Sequence, residues 1–160
     1  VRDMEGMFKY CGYNAMEVLD LGDKFDTSNV RNMKKMFNYC GGDEWEELNL
    51  GNKFDTSKVT DMSYMFKYVG KGGYTFELNL GDNFNTSNVT NMESMFEACG
   101  MNRMSELNLG DKFDTSNVTN MKNMFYYCGN NDLQLLDLGD KFNTSKVTDM
   151  EGMFYQLRRI

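Results

Sequence analysis

The chain has 160 residues, the length of one domain, and its 24 acidic and 17 basic residues leave a formal net charge of −7. It contains no histidine, so no imidazole can act as a general base or a metal ligand. The negative balance argues against nucleic acid or anionic membrane surfaces as partners, and no apolar run approaches the ~20 residues of a membrane span.

The 15 methionines reveal an internal repeat. The motif Met-x-x-Met-Phe ends at Phe8, Phe37, Phe66, Phe96, Phe125 and Phe154. Successive copies are 29 residues apart except for one interval of 30, where an extra residue falls in the loop at Gly70–Gly73. This period predicts a single repeat solenoid over residues 1–160, with a partial unit at 1–12 and units at about 13–41, 42–70, 71–100, 101–129 and 130–160. We expect it to be a segment of a longer protein.

Each unit is predicted to contain one strand and one short helix, in that order. Leu19 and Leu21 alternate with a polar residue, which is typical of a half-buried strand. Asp26 then offers a capping oxygen, residues 30–37 carry apolar side chains at helical spacing, and Gly41 suits a helix C-terminus. We therefore predict an α/β repeat solenoid of about five and a half units, whose parallel strands form one ladder.

Two sets of residues are predicted to be buried. The methionine and phenylalanine stripe forms the core ladder: Met33, Met36, Phe37, Met62, Met65, Phe66, Met92, Met95, Phe96, Met121, Met124 and Phe125. The thiols form a second ladder: Cys11, Cys40, Cys99 and Cys128. Equivalent positions in neighbouring helices would lie ~8–10 Å apart, too far for a disulfide, whereas strand-like segments would let these cysteines approach in pairs. We favour a buried, reduced ladder with no metal and no cofactor, since no Cys-x-x-Cys motif occurs.

The strand phrase Leu133-x-x-Leu136-x-Leu138 resembles a leucine-rich repeat. The fuller phrase, Met-Phe-x-x-Cys followed by Leu-x-Leu-Gly and Phe-Asp-Thr-Ser-Asn-Val-Thr-Asn-Met, closely resembles the bacterial surface-protein repeat of mycoplasmas, which is grouped with BspA-like leucine-rich repeats. The family repeat has about 26 residues, against 29–30 here. The resemblance implies a leucine-rich-repeat-like solenoid on the bacterial cell surface, or a secreted one.

In such a solenoid, residues between and just before the strand leucines face outward. The candidate binding residues are Glu17, Asp20, Glu46, Glu47, Asn49, Glu77, Asn79, Glu106, Asn108, Gln134 and Asp137. They could equally be solubilising positions, with asparagine side chains paired along the ladder. The other recurrent aspartates near glycine are explained by turn chemistry rather than by a calcium site.

These features indicate a protein without enzymatic activity. The sequence has no phosphate-binding loop, and its repeated Thr-Ser hydroxyls have no base to activate them. We expect a surface-displayed module that binds a protein or glycan in adhesion or host interaction, with no nucleic-acid partner and no direct membrane insertion. The alternative is a passive spacer or an antigenically variable array with no dedicated ligand.

Overall fold

A computed structural model describes residues 1–12, 16–42, 45–70, 72, 76–102 and 104–157. These residues contain five short strands: β1 Val18–Asp20, β2 Glu47–Asn49, β3 Glu77–Leu78, β4 Glu106–Asn108 and β5 Leu135–Asp137. Each strand includes the first leucine of a Leu-x-Leu pair, and equivalent residues are aligned in parallel register. The strands form two sheets, β1-β2-β3 and β4-β5, instead of the single ladder that the sequence predicted.

The predicted helix does not form. The described part of the chain contains no helix, so the prediction of an α/β solenoid with one helix per unit is wrong. Residues 33–40 are instead a run of tight turns, in which the amides of Met36, Asn38 and Cys40 donate to the carbonyl three residues earlier, at 2.9–3.1 Å. Lys35 and Tyr39 have φ angles of 57° and 56°, a left-handed conformation that a right-handed helix cannot contain.

The alternate amides of this segment join one unit to the next. Lys35, Phe37 and Tyr39 donate to carbonyls 28 residues further along the chain, at 2.8–3.0 Å. An α-helix would bond these amides within its own segment and would leave no such backbone link between units. The apolar spacing of three and four residues suits both the helix and the stacked turns, so the pattern alone could not separate them.

The units stack in parallel through two further ladders. Isolated parallel bridges join Asp3, Asn32, Asp61, Asn91, Asn120 and Asp149 in turn. Buried threonines form the other ladder: the Thr86 hydroxyl donates to the Asp114 carbonyl at 2.9 Å and accepts from the Asp114 amide at 2.8 Å. Thr56 bonds Asn85 in the same way, at 2.9 and 2.7 Å. Neighbouring units are therefore joined by backbone bridges in one ladder and by threonine hydroxyls bound to backbone groups in the other.

The core lies between the strands and the turns. All twelve predicted core methionines and phenylalanines have no exposed surface, and Trp45, which the sequence placed at a leucine position, is 1% exposed. The motif phenylalanines stack from Phe8 to Phe154 with ring centroids 5.4–5.6 Å apart and planes within 11°. Such offset pairs each contribute about 0.5–1.5 kcal/mol beyond their burial. No helix in the described ranges is long and apolar enough to cross a bilayer.

Candidate functional site

The strands present one polar surface, which we call the strand face. Leu48 points into the core with 1% of its surface exposed, while Glu47 and Asn49 on either side of it are exposed. The other strands show the same alternation, so each unit places two residues on the strand face. All eleven predicted binding residues are exposed, although Glu17, Glu46 and Gln134 precede the strands rather than lie on them.

Two residues of the strand face, Val18 and Leu135, were not predicted from the sequence. Val18 and Leu135 are 45% and 49% exposed and occupy the position that Glu47 holds in its unit. Both residues directly precede a strand leucine, and strand alternation predicts that a side chain at this position faces outward. An apolar residue at this position was nevertheless not expected to be exposed. The carboxylates of this row are consequently confined to the three central strands, where they are Glu47, Glu77 and Glu106.

The second row of the strand face is fixed by its own turns. The Oδ1 atoms of Asp20, Asn49, Asn79, Asn108 and Asp137 each accept a hydrogen bond, at 2.8–3.0 Å, from the glycine amide two residues later. These glycines have φ angles of 67–78°, so the side chain caps a left-handed turn. Pairing of asparagines along the ladder, which the sequence left open as an alternative, is not observed among Asn49, Asn79 and Asn108. The carboxamide N–H groups of Asn49, Asn79 and Asn108 donate to no group within the described residues, and all three residues are exposed.

A cleft of about 420 Å³ opens on the strand face between β3 and β4. It is lined by residues 76–82 on one side and by 105–106 and 108–110 on the other. A second groove of about 390 Å³ adjoins it between β2 and β3, and the two share Asn79, Gly81 and Asp82. The cleft coincides with the point where the two sheets separate.

The cleft is acidic. Glu77, Asp82 and Glu106 line it and are exposed, and none of the described residues lining it is a lysine or an arginine. The described residues contain no group of three or more carboxylate, thiol or imidazole side chains that could hold a metal ion. The site therefore offers hydrogen-bond acceptors and negative charge to an organic ligand.

The thiols do not form a uniformly buried ladder. Cys40, Cys99 and Cys128 are fully buried, but Cys11 is partly exposed, and all four are free. Burial raises the pKa of Cys40, Cys99 and Cys128 above the ordinary thiol value. Cys11 is less covered because its unit packs against a neighbour on one side only. The three buried thiols are therefore poorly suited to nucleophilic chemistry.

A polar cluster on the opposite side, formed by the tight turns, was also missed. Lys67 makes a 2.8 Å ion pair with Glu97, which is 9% exposed, and its ammonium lies 5.4 Å from the centre of the Tyr64 ring. The Tyr64 hydroxyl donates to Glu93 in the next unit, and burial followed by this bond raises the pKa of Tyr64 to about 12. Because the residues differ between units, no repeated pattern in the sequence pointed to this cluster. It links two units and lies away from the cleft.

The comparisons with known proteins identify a family. The family model for a Mycoplasma protein of unknown function, DUF285, matches residues 2–132 and again residues 101–160. The two overlapping matches together extend over nearly the whole chain, as expected for a repeated unit. No curated protein and no solved structure gives a significant match.

Proposed function

We propose that the chain, which belongs to the Mycoplasma protein family of unknown function DUF285, is a non-enzymatic module that binds a protein or glycan ligand through its strand face. We also propose that the chain is related to the BspA-like leucine-rich repeats and that it is displayed on the bacterial surface or secreted. These last parts are supported by the sequence resemblance.

The observation that carries the proposal is the regular polar surface of the strands. Carboxylates and free carboxamide donors project from neighbouring strands of the central units, on a framework whose turns are hydrogen-bonded. The paired strands β2 and β3 place these groups ~4.8 Å apart, so an extended ligand can meet the same donor and acceptor more than once. Complementary charge on a partner would then give selectivity.

The alternative of a passive array has one observation in its favour. Every Asp or Asn in the second row already accepts a hydrogen bond from its own turn. That bond alone explains why these residue types recur, without any ligand. The first row has no such local explanation, because none of the side chains of Glu47, Glu77 and Glu106 makes a hydrogen bond or ion pair in the described structure.

A binding screen separates the two functions. The wild-type chain is tested on glycan and peptide arrays together with Glu47→Gln/Glu106→Gln, which neutralises two carboxylates on the strand face. The control is Glu5→Gln/Glu151→Gln, which makes the same charge change at exposed positions outside it. We expect the strand-face variant to weaken binding roughly 2–10-fold and the control to leave it unchanged. If neither the glycan array nor the peptide array yields a ligand, the function of a passive spacer is favoured.

Surface display requires a separate test. Intact mycoplasma cells that express the protein are labelled with an antibody against the chain, before and after permeabilisation. Labelling of intact cells is the expected result, whereas labelling only after permeabilisation would contradict display.

A further inference from the structure

The separation of the two sheets has its origin in the unit that contains the extra residue. In the units on either side, Trp45 and Met104 precede the strand leucine by three residues and pack beneath the glycine that ends the preceding unit. In this unit the corresponding contact with Gly70 is made by Phe76, which precedes Leu78 by only two residues. β3 begins directly after the buried ring, at the residue that pairs with Glu47, and ends at Leu78, one residue earlier than the other strands.

The short strand leaves backbone groups open. No backbone hydrogen bond joins β3 to β4 in the described residues, although their two units remain linked elsewhere, as by the Gly129 amide to the Cys99 carbonyl at 2.9 Å. At the β1–β2 and β4–β5 junctions the second strand leucine donates to the neighbouring strand, as Leu109 does to Asp137 at 3.1 Å, whereas the bond from Leu50 to Asn79 at the β2–β3 junction is absent. The equivalent bond from Leu80 to Asn108 is absent. Open polar backbone groups between neighbouring strands need a partner, which is water or a ligand.

The chemistry of the cleft favours one class of ligand. Three carboxylates line it, and the cleft carries no cation among its described residues. Glu77 also lies directly beside Glu47 in the parallel register, and like charges on adjacent strands destabilise a sheet unless a cation lies between them. Because no described set of three ligands can hold a metal ion, the complementary cation is one that donates N–H bonds, an ammonium or a guanidinium.

We propose that the cleft between β3 and β4 binds a lysine or arginine side chain of an extended polypeptide that lies across the strand face. This inference rests on the proposed function and names the place and the partner class. The ammonium or guanidinium group bonds Glu77 and Glu106, and main-chain groups of the partner meet the open backbone of β3 and β4. A glycan fits less well, because the one aromatic ring lining the cleft, Phe76, is 1% exposed and offers no stacking surface.

The first test uses a defined probe. Binding of a fluorescein-labelled peptide of alternating lysine and threonine is followed by anisotropy, with glutamine replacing lysine in the matched peptide. We expect the lysine peptide alone to bind, and its affinity to fall as salt is added. Glu77→Gln/Glu106→Gln should weaken binding about tenfold, whereas Glu5→Gln/Glu151→Gln, with the same charge change outside the strand face, should leave it within about twofold. Equal losses in both variants would overturn the proposal in favour of a general acidic surface.

A second variant tests the cleft without changing its charge. Residues 71–77 are replaced by the six residues 101–106 of the next unit, which restores the 29-residue spacing and keeps a glutamate before Leu78 and the same net charge. We expect paired β3 and β4 strands and a loss of binding of about tenfold or more. Unchanged binding in a variant that folds, or wild-type binding of a neutral hexasaccharide and not of the lysine peptide, would refute the peptide cleft while leaving the proposed binding function intact. Failure of every array ligand would instead refute the proposed function.

Discussion

Replacement of Thr86 by valine tests whether side-chain bonds between units hold the stack. The Thr86 side chain is fully buried, and its hydroxyl makes two bonds to the Asp114 backbone, at 2.9 and 2.8 Å. Valine keeps the shape but removes both bonds and leaves a part-buried amide and carbonyl without partners. Each lost bond costs about 0.5–1.5 kcal/mol and an unsatisfied group about 1–3 kcal/mol, so we expect a loss of about 2–4 kcal/mol.

The matched control is Thr144→Val. Thr144 occupies the same position in the last unit, where it is exposed and its hydroxyl makes no hydrogen bond in the described structure. Its replacement should change the free energy of unfolding by less than ~0.5 kcal/mol. The two variants therefore differ in burial and in contact with a following unit, and not in chemistry.

Urea denaturation monitored by fluorescence of the single tryptophan measures the effect. A loss of this size lowers the midpoint by roughly 1–2 M urea and the melting temperature by roughly 4–16 °C. Because repeat arrays are held by contacts between neighbours, a second transition in the Thr86 variant would also fit the stacked structure. A change below ~0.5 kcal/mol, or an equal loss in both variants, would refute the role of the threonine ladder.

Three further predictions follow from the turns, the thiols and the tyrosine cluster. Gly41→Ala should abolish stable folding, since its new Cβ would lie 2.3 Å from the buried indole. Gly110→Ala, at a similar φ but with no atom within 4 Å, should lower the free energy of unfolding measured in urea by only about 1–2 kcal/mol. Equal losses in the two variants would contradict this prediction. In a brief iodoacetamide pulse read by mass spectrometry, Cys11 should react well before Cys99, whose burial raises its pKa; equal rates would show an exposed thiol ladder. The folded state raises the pKa of Tyr64 from 10.0 to about 12, so the stability this phenol contributes is complete below pH 10 and is lost as the pH rises toward 12. Tyr64→Phe should therefore show a smaller fall in urea midpoint over that range, and an unchanged fall would contradict the shift.

The content of the core could be predicted from sequence because each unit repeats it. Met33, Met36 and Phe37 recur at fixed offsets, and apolar residues repeated at one spacing must share one environment in a stacked array. The strand leucines were found for the same reason. Local alternation identified Leu48 as inward and its neighbours as outward, as the structure shows.

The candidate site was only partly accessible to the same reasoning. The eleven exposed residues follow from strand alternation and offsets, but a copied unit predicts that all junctions are alike. The cleft lies beside the unit in which the buried ring is shifted by one residue, with Phe76 two residues before Leu78 and packed beneath Gly70. The extra residue was visible in the sequence, while its consequence for the strands was not.

The sequence by itself determined the unit, its 29-residue length, the residues that face the core and the acidic character of the strand face. Only the tertiary structure decided between helix and turn, because the amides of residues such as Lys35 and Tyr39 find their acceptors 28 residues away. Apolar spacing reports which side of a segment is buried, and it carries no information about where a backbone amide donates. That choice belongs to the contact between units, which also divides the strands into two sheets and opens the cleft between them.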